Sequence, residues 1–163
     1  MSKRSRILGL VYALTCSFFV ASITPVHASA KPAELKLASA SALVVDTRKG
    51  KTLYAKNPNK VVPIASVTKL MTALVVLDAK QNLNEVITVD KRDRDTLKNT
   101  HSRIRFGTQI TRHDALLLAL MSSENRMASA LARHYPGGKS AFVKAMNRKA
   151  KSLGMKNTRF SDS

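Results

Sequence analysis

Residues 62–71 read Val62-Pro63-Ile64-Ala65-Ser66-Val67-Thr68-Lys69-Leu70-Met71, in which a proline precedes a serine and a lysine and an apolar run follows. The apolar residues that continue the run predict a helix over 65–80 that is buried on most of its sides. Ser66 and Lys69 are three residues apart, so both lie on one face of the first turn. A core helix has no structural need for a hydroxyl and an ammonium group at that end.

The first turn of a helix is a favourable place for a serine nucleophile. Its unpaired N–H groups and the helix dipole create a positive environment that stabilises an oxyanion beside Ser66. The same environment, together with burial, disfavours the protonated form of Lys69. A neutral lysine can take the proton of a serine, whose free hydroxyl is a poor nucleophile. The pair predicts a nucleophile and its general base, although a serine cap followed by a solvated lysine would have the same spacing.

A second polar motif, Ser123-Glu124-Asn125, interrupts two predicted apolar helices further along the chain. Because it separates two buried helices, its side chains are expected to face a cleft. Ser123 is then placed to relay a proton between Lys69 and a leaving amine, and Asn125 to hold a substrate amide. The alternative is an ordinary helix connection in which the serine caps the following helix.

The remaining elements are a hairpin and further helices. Residues 42–45 and 52–55 predict two strands around a turn. Thr111 with an acid three residues later predicts the start of a helix, and residues 139–153 predict an amphipathic one. Residues 90–107 are polar and are expected to form irregular surface. The predicted apolar face of the last helix consists of Phe142, Met146, Ala150 and Leu153.

The N-terminus has the pattern of a secretory signal peptide. Three basic residues precede an apolar run over 7–23, and the small residues that follow fit cleavage after residue 28 or 30. The predicted organisation is a signal peptide at 1–28, a lead-in at 29–40 and a catalytic part at 41–163. A membrane anchor is the alternative, but the apolar run is short for one that spans a bilayer.

Composition narrows the compartment and the partners. Cys16 in the apolar run is the only cysteine, so an exported mature chain has no disulfide, which suits the bacterial periplasm. The net charge of +18 favours anionic partners. Basic and aromatic residues are not interleaved, which argues against nucleic acid. His101, His113 and His134 lack the spacing of metal ligands, so neither a metal nor a cofactor is predicted.

Ser-x-x-Lys followed after 57 residues by Ser-x-Asn is the motif order of the penicillin-interacting serine enzymes. The stretches that carry further likeness are PIASVTKLMTALVVLDA, LLLALMSSENRMASALARHYPGG and FVKAMNRKAKSLGMKNTRF. They resemble the D-alanyl-D-alanine endopeptidases, low-molecular-mass penicillin-binding proteins of Gram-negative bacteria. The likeness runs from about Ser41 to the last residues.

The resemblance implies a periplasmic serine peptidase that cleaves D-alanyl–meso-diaminopimelyl cross-links of peptidoglycan, or removes a terminal D-alanine, through an acyl-enzyme. By motif match Ser66 is the nucleophile, Lys69 the base, and Ser123 and Asn125 form the second motif. The implied partners are peptidoglycan stem peptides and cross-links, with β-lactams as covalent inhibitors and at most peripheral membrane contact. The implied fold is the α/β (α+β) penicillin-binding-protein/β-lactamase-like transpeptidase fold, with the site between a sheet and a helical cluster.

One part of the family pattern has no counterpart in this chain. Members carry Lys-Thr-Gly or Lys-Ser-Gly on a late strand, whereas Gly50-Lys51-Thr52 has the wrong order. That strand supplies a cation and an oxyanion-hole N–H, and one such donor is worth about a hundred-fold in rate or more. We therefore expect a truncated fold, a hairpin plus a helical cluster without the C-terminal sheet strands, that is inactive and poorly folded alone.

Two alternatives stay open. A class A β-lactamase shares both motifs, but its deacylating glutamate would lie beyond Asn125, where the only acid is Asp162. A non-catalytic basic module that tethers wall polymers also fits the charge. Such a module predicts that penicillin forms no covalent adduct with the chain.

Overall fold

The structure is a computed structural model that describes residues 35–96 and 100–163. Contacts within the chain divide it into two units, 1–40 and 41–163. The predicted signal peptide at 1–28 and the lead-in as far as residue 34 lie outside the described residues. The rest of the lead-in, 35–40, is exposed and forms neither helix nor strand.

A β-hairpin opens the second unit, as the sequence predicts. Strand β1 (Ala42–Asp46) pairs antiparallel with β2 (Lys51–Lys56), with one irregularity of register near the middle. The Asp46 carboxylate accepts hydrogen bonds from the backbone amides of Arg48 and Lys49 at 3.0 and 3.2 Å. An aspartate that bonds to the backbone two and three residues ahead stabilises a tight turn, which explains where the strands reverse.

The predicted long helix begins as a 3-10 turn (Ala65–Val67) and continues as α1 (Thr68–Asp78). Ser66 therefore lies on the 3-10 turn and Lys69 on the α-helix, whereas the sequence placed both on one α-helix. The difference is small because the two segments are continuous, and both side chains remain at the same end of α1.

Helix α1 is buried on one side and exposed on the other, so the prediction that most of its sides are buried is wrong for this chain. Met71, Val75 and Val76 lie in the core. The opposite side carries an apolar stripe whose side chains are 40–61% exposed: Val67, Leu70, Leu74 and Leu77. Spacings of three and four residues place the stripe on one face. Within the described ranges, no element covers that face enough to bury it.

A second, smaller sheet contains two strands that follow α1 in the chain. Strand β3 (Val86–Thr88) pairs antiparallel with β4 (Gln109–Thr111), with Ile87 opposite Ile110. Strand β4 leads directly into α2 (Arg112–Met121). The sequence did not predict β4, because three residues within a polar stretch give too short an alternation to recognise.

The polar segment 90–107 is not all surface, which corrects the sequence prediction. Residues Lys91–Asp93 form a 3-10 turn, and the side chain of Asp93 is completely buried. Arg133 donates to both oxygens of this carboxylate, at 2.9 Å from Nε and 2.7 Å from Nη2. A buried carboxylate is stable only when it is paired and hydrogen-bonded, so this segment is fastened to the core.

Helices α3 (Asn125–Arg133) and α4 (Gly138–Ser152) complete the core with α1 and α2. Leu153, predicted on the buried face of the last helix, is 53% exposed because it lies just past the helix end. Phe160 is buried instead, and its backbone N–H and carbonyl bond to the Asn147 side chain at 2.9 and 2.8 Å. None of the helices in the described parts of the chain is long and apolar enough to cross a bilayer.

Gly137 occupies the turn before α4 and gives a testable consequence. Its φ is +85°, and a Cβ built there would lie 2.8 Å from the Cβ of Ala141. We expect Gly137→Ala to lower the free energy of unfolding by about 2–4 kcal/mol, from left-handed strain plus the clash. Gly107→Ala is the matched control, since its φ is +88° with nothing within 4 Å of an added Cβ. Equal losses in chemical denaturation would contradict the clash.

The start of α2 gives a second prediction, for pH. The Thr111 hydroxyl accepts from the Asp114 amide at 3.0 Å and caps the helix, as the sequence predicts. The pKa of the Asp114 carboxyl is lowered below its usual 3.8. The largest cause is a hydrogen bond with the Thr111 side chain, and the next is a hydrogen bond with His113. A carboxyl with a lowered pKa stabilises the fold at neutral pH, and this contribution is lost as the pH falls through the folded-state pKa. Asp114→Asn should therefore be less stable than wild type at pH 7, with a difference that closes in acid. A difference that stays constant with pH would contradict this assignment.

Candidate active site

The fold brings the two serines of the predicted site together. Ser66 is on the 3-10 turn before α1, and Ser123 lies in the short connection between α2 and α3. The Ser123 hydroxyl donates to the Ser66 oxygen at 2.5 Å, across 57 residues of sequence. A hydrogen bond to this oxygen stabilises the negative charge that develops on it when its own proton leaves.

The other two predicted residues also meet. Lys69 is 5% exposed, and its Nζ donates a short hydrogen bond to Oδ1 of Asn125, 56 residues away. Asn125 is the first residue of α3, so its side chain is held at a helix end beside the start of α1. The four residues thus meet in two pairs, Ser66 with Ser123 and Lys69 with Asn125. That they act together as an active site stays a prediction from the motifs.

The backbone at both serines is unusual. Ala65, just before Ser66, has a φ of +48°, and Ser123 itself has a φ of +57°. Left-handed geometry in a residue other than glycine costs about 1–3 kcal/mol and often occurs at functional sites. Glu124, not Ser123, caps α3 by accepting from the Arg126 amide at 3.0 Å, which leaves the serine hydroxyl directed at Ser66.

Two further residues of the site were missed by the sequence reasoning. Nδ2 of Asn125 donates to Oδ2 of Asp95 at 2.9 Å and to Oγ1 of Thr100 at 3.0 Å. The Thr100 hydroxyl in turn donates to the same Asp95 oxygen at 2.6 Å. Both residues belong to the polar segment read as surface, and nothing in their spacing distinguishes them from loop residues.

Cation–π contacts with Phe106 support the segment that carries Asp95. The guanidinium of Arg126, next to Asn125, lies 4.3 Å from the ring centre of Phe106. That of Arg94, next to Asp95, lies 5.7 Å from the same ring centre. Cation–π contacts of this kind are worth about 0.5–2 kcal/mol each. The two bonded side chains are therefore supported by neighbours that share one aromatic ring.

A cleft of about 400 Å³ opens beside Lys69 and Asn125. Ser129 and Phe160 also line it, so it extends from the bonded side chains along α3. Burial is the largest cause of a lowered pKa for Lys139 on its wall. The charged residues of the wall, besides Lys69, are Arg94, Asp95, Lys139, Arg159 and Asp162. In the described parts of the chain, no cluster of three or more His, Cys, Asp or Glu side chains could hold a metal.

A serine bonded to a second serine, and a buried lysine bonded to an asparagine, are the residue types and contacts expected of the serine–lysine class of acyl-transfer sites. The comparisons with known proteins give the family. The chain belongs to peptidase family S11, D-alanyl-D-alanine carboxypeptidase, whose sequence profile matches residues 26–163. This confirms the resemblance on which the sequence reading rested.

Individual relatives agree with the family. The chain is 56% identical over 160 residues to the D-alanyl-D-alanine endopeptidase of Pseudomonas aeruginosa, covering 96% of this chain and 51% of that protein. The Streptomyces K15 DD-transpeptidase structure matches with a TM-score of 0.72 and 29% identity, over 78% of this chain and 53% of that one. Penicillin-binding protein D2 of Listeria monocytogenes, in its ampicillin-bound form, matches with a TM-score of 0.66 and 33% identity, over 78% and 52%.

These likenesses confirm the expected fold class. The hairpin, the small sheet and the four helices correspond to part of the penicillin-binding-protein fold. The chain spans about half the length of the P. aeruginosa relative. The family match also favours a peptidase over a class A β-lactamase, which the motifs alone left open.

Proposed function

We propose that the protein acts as a serine D-Ala-D-Ala peptidase on peptidoglycan, as an endopeptidase or a carboxypeptidase, with Ser66 as nucleophile. The observation that carries the proposal is the pairing of Ser66 with Ser123 and of Lys69 with Asn125 in one site. Four polar side chains are held together there, and the backbone is left-handed at Ala65 and Ser123, a costly geometry that is common at functional sites.

The arrangement supports acyl transfer. Lys69 takes the proton of Ser66, and the Ser66 oxygen attacks the carbonyl carbon of the D-alanine on the acyl side of the cleaved bond. The amine leaves with a proton relayed through Ser123, which is within hydrogen-bonding distance of Ser66. Water then attacks the acyl-serine, giving the free carboxylate and restoring the hydroxyl. In the endopeptidase reaction the leaving amine belongs to a cross-linked diaminopimelyl residue, and in the carboxypeptidase reaction to a terminal D-alanine.

Asn125 has a defined capacity toward a substrate. Both of its N–H groups are engaged, with Asp95 and Thr100, and one lone pair of Oδ1 accepts from Lys69. An amide oxygen has two lone pairs, so Oδ1 can still accept from a substrate N–H. This refines the expectation that Asn125 holds a substrate amide, since in this arrangement Asn125 accepts and does not donate.

The setting of the reaction follows from the sequence and the charge. The N-terminal signal pattern supports export to the periplasm, where stem peptides and cross-links are the partners. Cations in the cleft, among them Arg94, Lys139 and Arg159, suit the carboxylates of such peptides. The ampicillin-bound relative supports β-lactams as covalent inhibitors.

Covalent labelling tests the proposal. A periplasmic extract of the native source is treated with a fluorescent penicillin, and labelled proteins are identified by gel and mass spectrometry. The expected result is one adduct on a peptide containing Ser66. Variants are then made in the complete gene of the native source. The Ser66→Ala variant should take no label, whereas Ser122→Ala, which changes an exposed serine next to the site, should still be labelled. Peptides containing Ser66 found only in unlabelled material would favour the non-catalytic wall-binding module.

A further inference from the structure

We infer that Asp95 is a positioning residue, whose carboxylate fixes which way round the Asn125 amide lies and so presents Oδ1 to Lys69. The inference rests on the proposed function, because it concerns the same site. It assigns to residue 95 a part that neither Ser-x-x-Lys nor Ser-x-Asn contains.

The contacts form a closed triangle on one side of Asn125. Its Nδ2 lies 2.9 Å from Oδ2 of Asp95 and 3.0 Å from Oγ1 of Thr100, and those two oxygens are 2.6 Å apart. On the other side, Oδ1 accepts from Lys69. The Asn125 side chain therefore makes three hydrogen bonds, and all three partners are protein side chains.

The chemistry of the carboxylate decides the orientation. An amide can be turned end for end with little change of shape, so its neighbours determine which end is the oxygen. An ionised carboxylate only accepts hydrogen bonds, so the end of Asn125 that faces Asp95 must be the NH₂ group. The reversed amide would place its oxygen against the Asp95 carboxylate and its NH₂ against the amine of Lys69. The carboxylate therefore keeps an acceptor in front of the general base.

Thr100 strengthens this choice. Its hydroxyl has one proton, which goes to Asp95, so its oxygen can only accept from Asn125. A second donor thus converges on Asp95, and the Asn125 NH₂ group has two acceptors. Hydrogen bonds to an ionised group are roughly twice as strong as neutral ones, which makes Asp95 the dominant member of the triangle.

The competing explanation is that Asp95 only holds its segment of chain in place. A double-mutant cycle separates the two, since a residue that acts through Asn125 has no effect once Asn125 is gone. We would measure the second-order rate of acylation by a fluorescent penicillin for wild type, Asp95→Asn, Asn125→Ala and the double variant, each made from the intact gene. Thermal unfolding of each variant checks that it is folded.

Asp95→Asn should slow acylation about tenfold, the value of one charge-assisted hydrogen bond, and Asn125→Ala at least as much. The double variant should match Asn125→Ala within about twofold. Thr100→Val should slow acylation while Thr100→Ser, which keeps the hydroxyl, should not. A tenfold further loss in the double variant, or no loss in Asp95→Asn, would overturn the inference.

A readout without acylation keeps the inference separate from the proposed function. The side-chain NH₂ protons of Asn125 should give two NMR signals that are protected from exchange in wild type and lose protection in Asp95→Asn. If wild type takes no penicillin, the proposed function fails, and these signals alone decide the inference. Unprotected signals in wild type would refute it.

Discussion

Replacing Lys69 by methionine is expected to slow the acylation of Ser66 by penicillin about a thousand-fold. Methionine has nearly the same length and suits a side chain that is only 5% exposed, so the helix keeps its packing. The change removes the group that we propose takes the serine proton, and a general base is worth about 10²–10⁴ in rate. The measurement is the rate of covalent labelling at several penicillin concentrations.

Two variants sharpen this test. Lys80→Met makes the same change at an exposed residue just beyond α1 and should label at the wild-type rate. Lys69→Arg keeps a cation but cannot supply a neutral base, because a guanidinium does not lose its proton in proteins. We expect it to be as slow as Lys69→Met. Rapid labelling of Lys69→Arg would mean that the charge matters and proton transfer does not.

The largest expected loss of stability comes from Arg133→Met. Arg133 bonds to both oxygens of the fully buried Asp93, and its Nη2 also donates to the carbonyl of Thr88 at 2.5 Å. Removing the guanidinium leaves Asp93 with Lys139 at 3.9 Å as its remaining ion-pair partner. Breaking a buried pair on one side costs about 3–5 kcal/mol. Thermal unfolding should show a melting temperature lower by roughly 10–15 °C.

The control for this prediction is an ion pair between a basic and an acidic side chain at the surface. Lys149 and Asp78 lie 2.8 Å apart, with side chains 28% and 54% exposed. Asp78→Ala should cost at most about 1 kcal/mol, because solvent screens exposed pairs. The combination of Arg133→Met with Asp93→Asn should be more stable than Arg133→Met alone, since it removes a buried carboxylate that has lost its closest ion-pair partner. A double variant as unstable as the sum of both changes would contradict the ion-pair explanation.

The elements that the sequence predicted are those with a strong local signal. The hairpin, α2 with its Thr111 cap, and α4 from Gly138 all have clear periodicity or capping residues. The four residues of the two motifs could be brought together because each motif stands at the end of a long apolar run. In such runs, local preference and tertiary packing favour the same structure.

What the sequence missed depends on contacts between distant segments. Asp93, Asp95 and Thr100 lie in one irregular stretch, and their partners Arg133 and Asn125 are 25 to 40 residues away. A polar residue that is buried by pairing has the same local pattern as one in solvent. Only the presence of a partner distinguishes a buried polar residue from an exposed one. No helical or strand periodicity relates the position of the residue to that of its partner.

The two hydrogen bonds that assemble the site each join residues 56 or 57 positions apart, so neither can form before α1 has packed against α3. A newly made or unfolded chain therefore contains an ordinary, unreactive serine. If acylation depends on these contacts, a short pulse of labelled penicillin given during refolding counts the molecules whose helices have already docked. The rate at which labelling appears would then report how fast the protein folds.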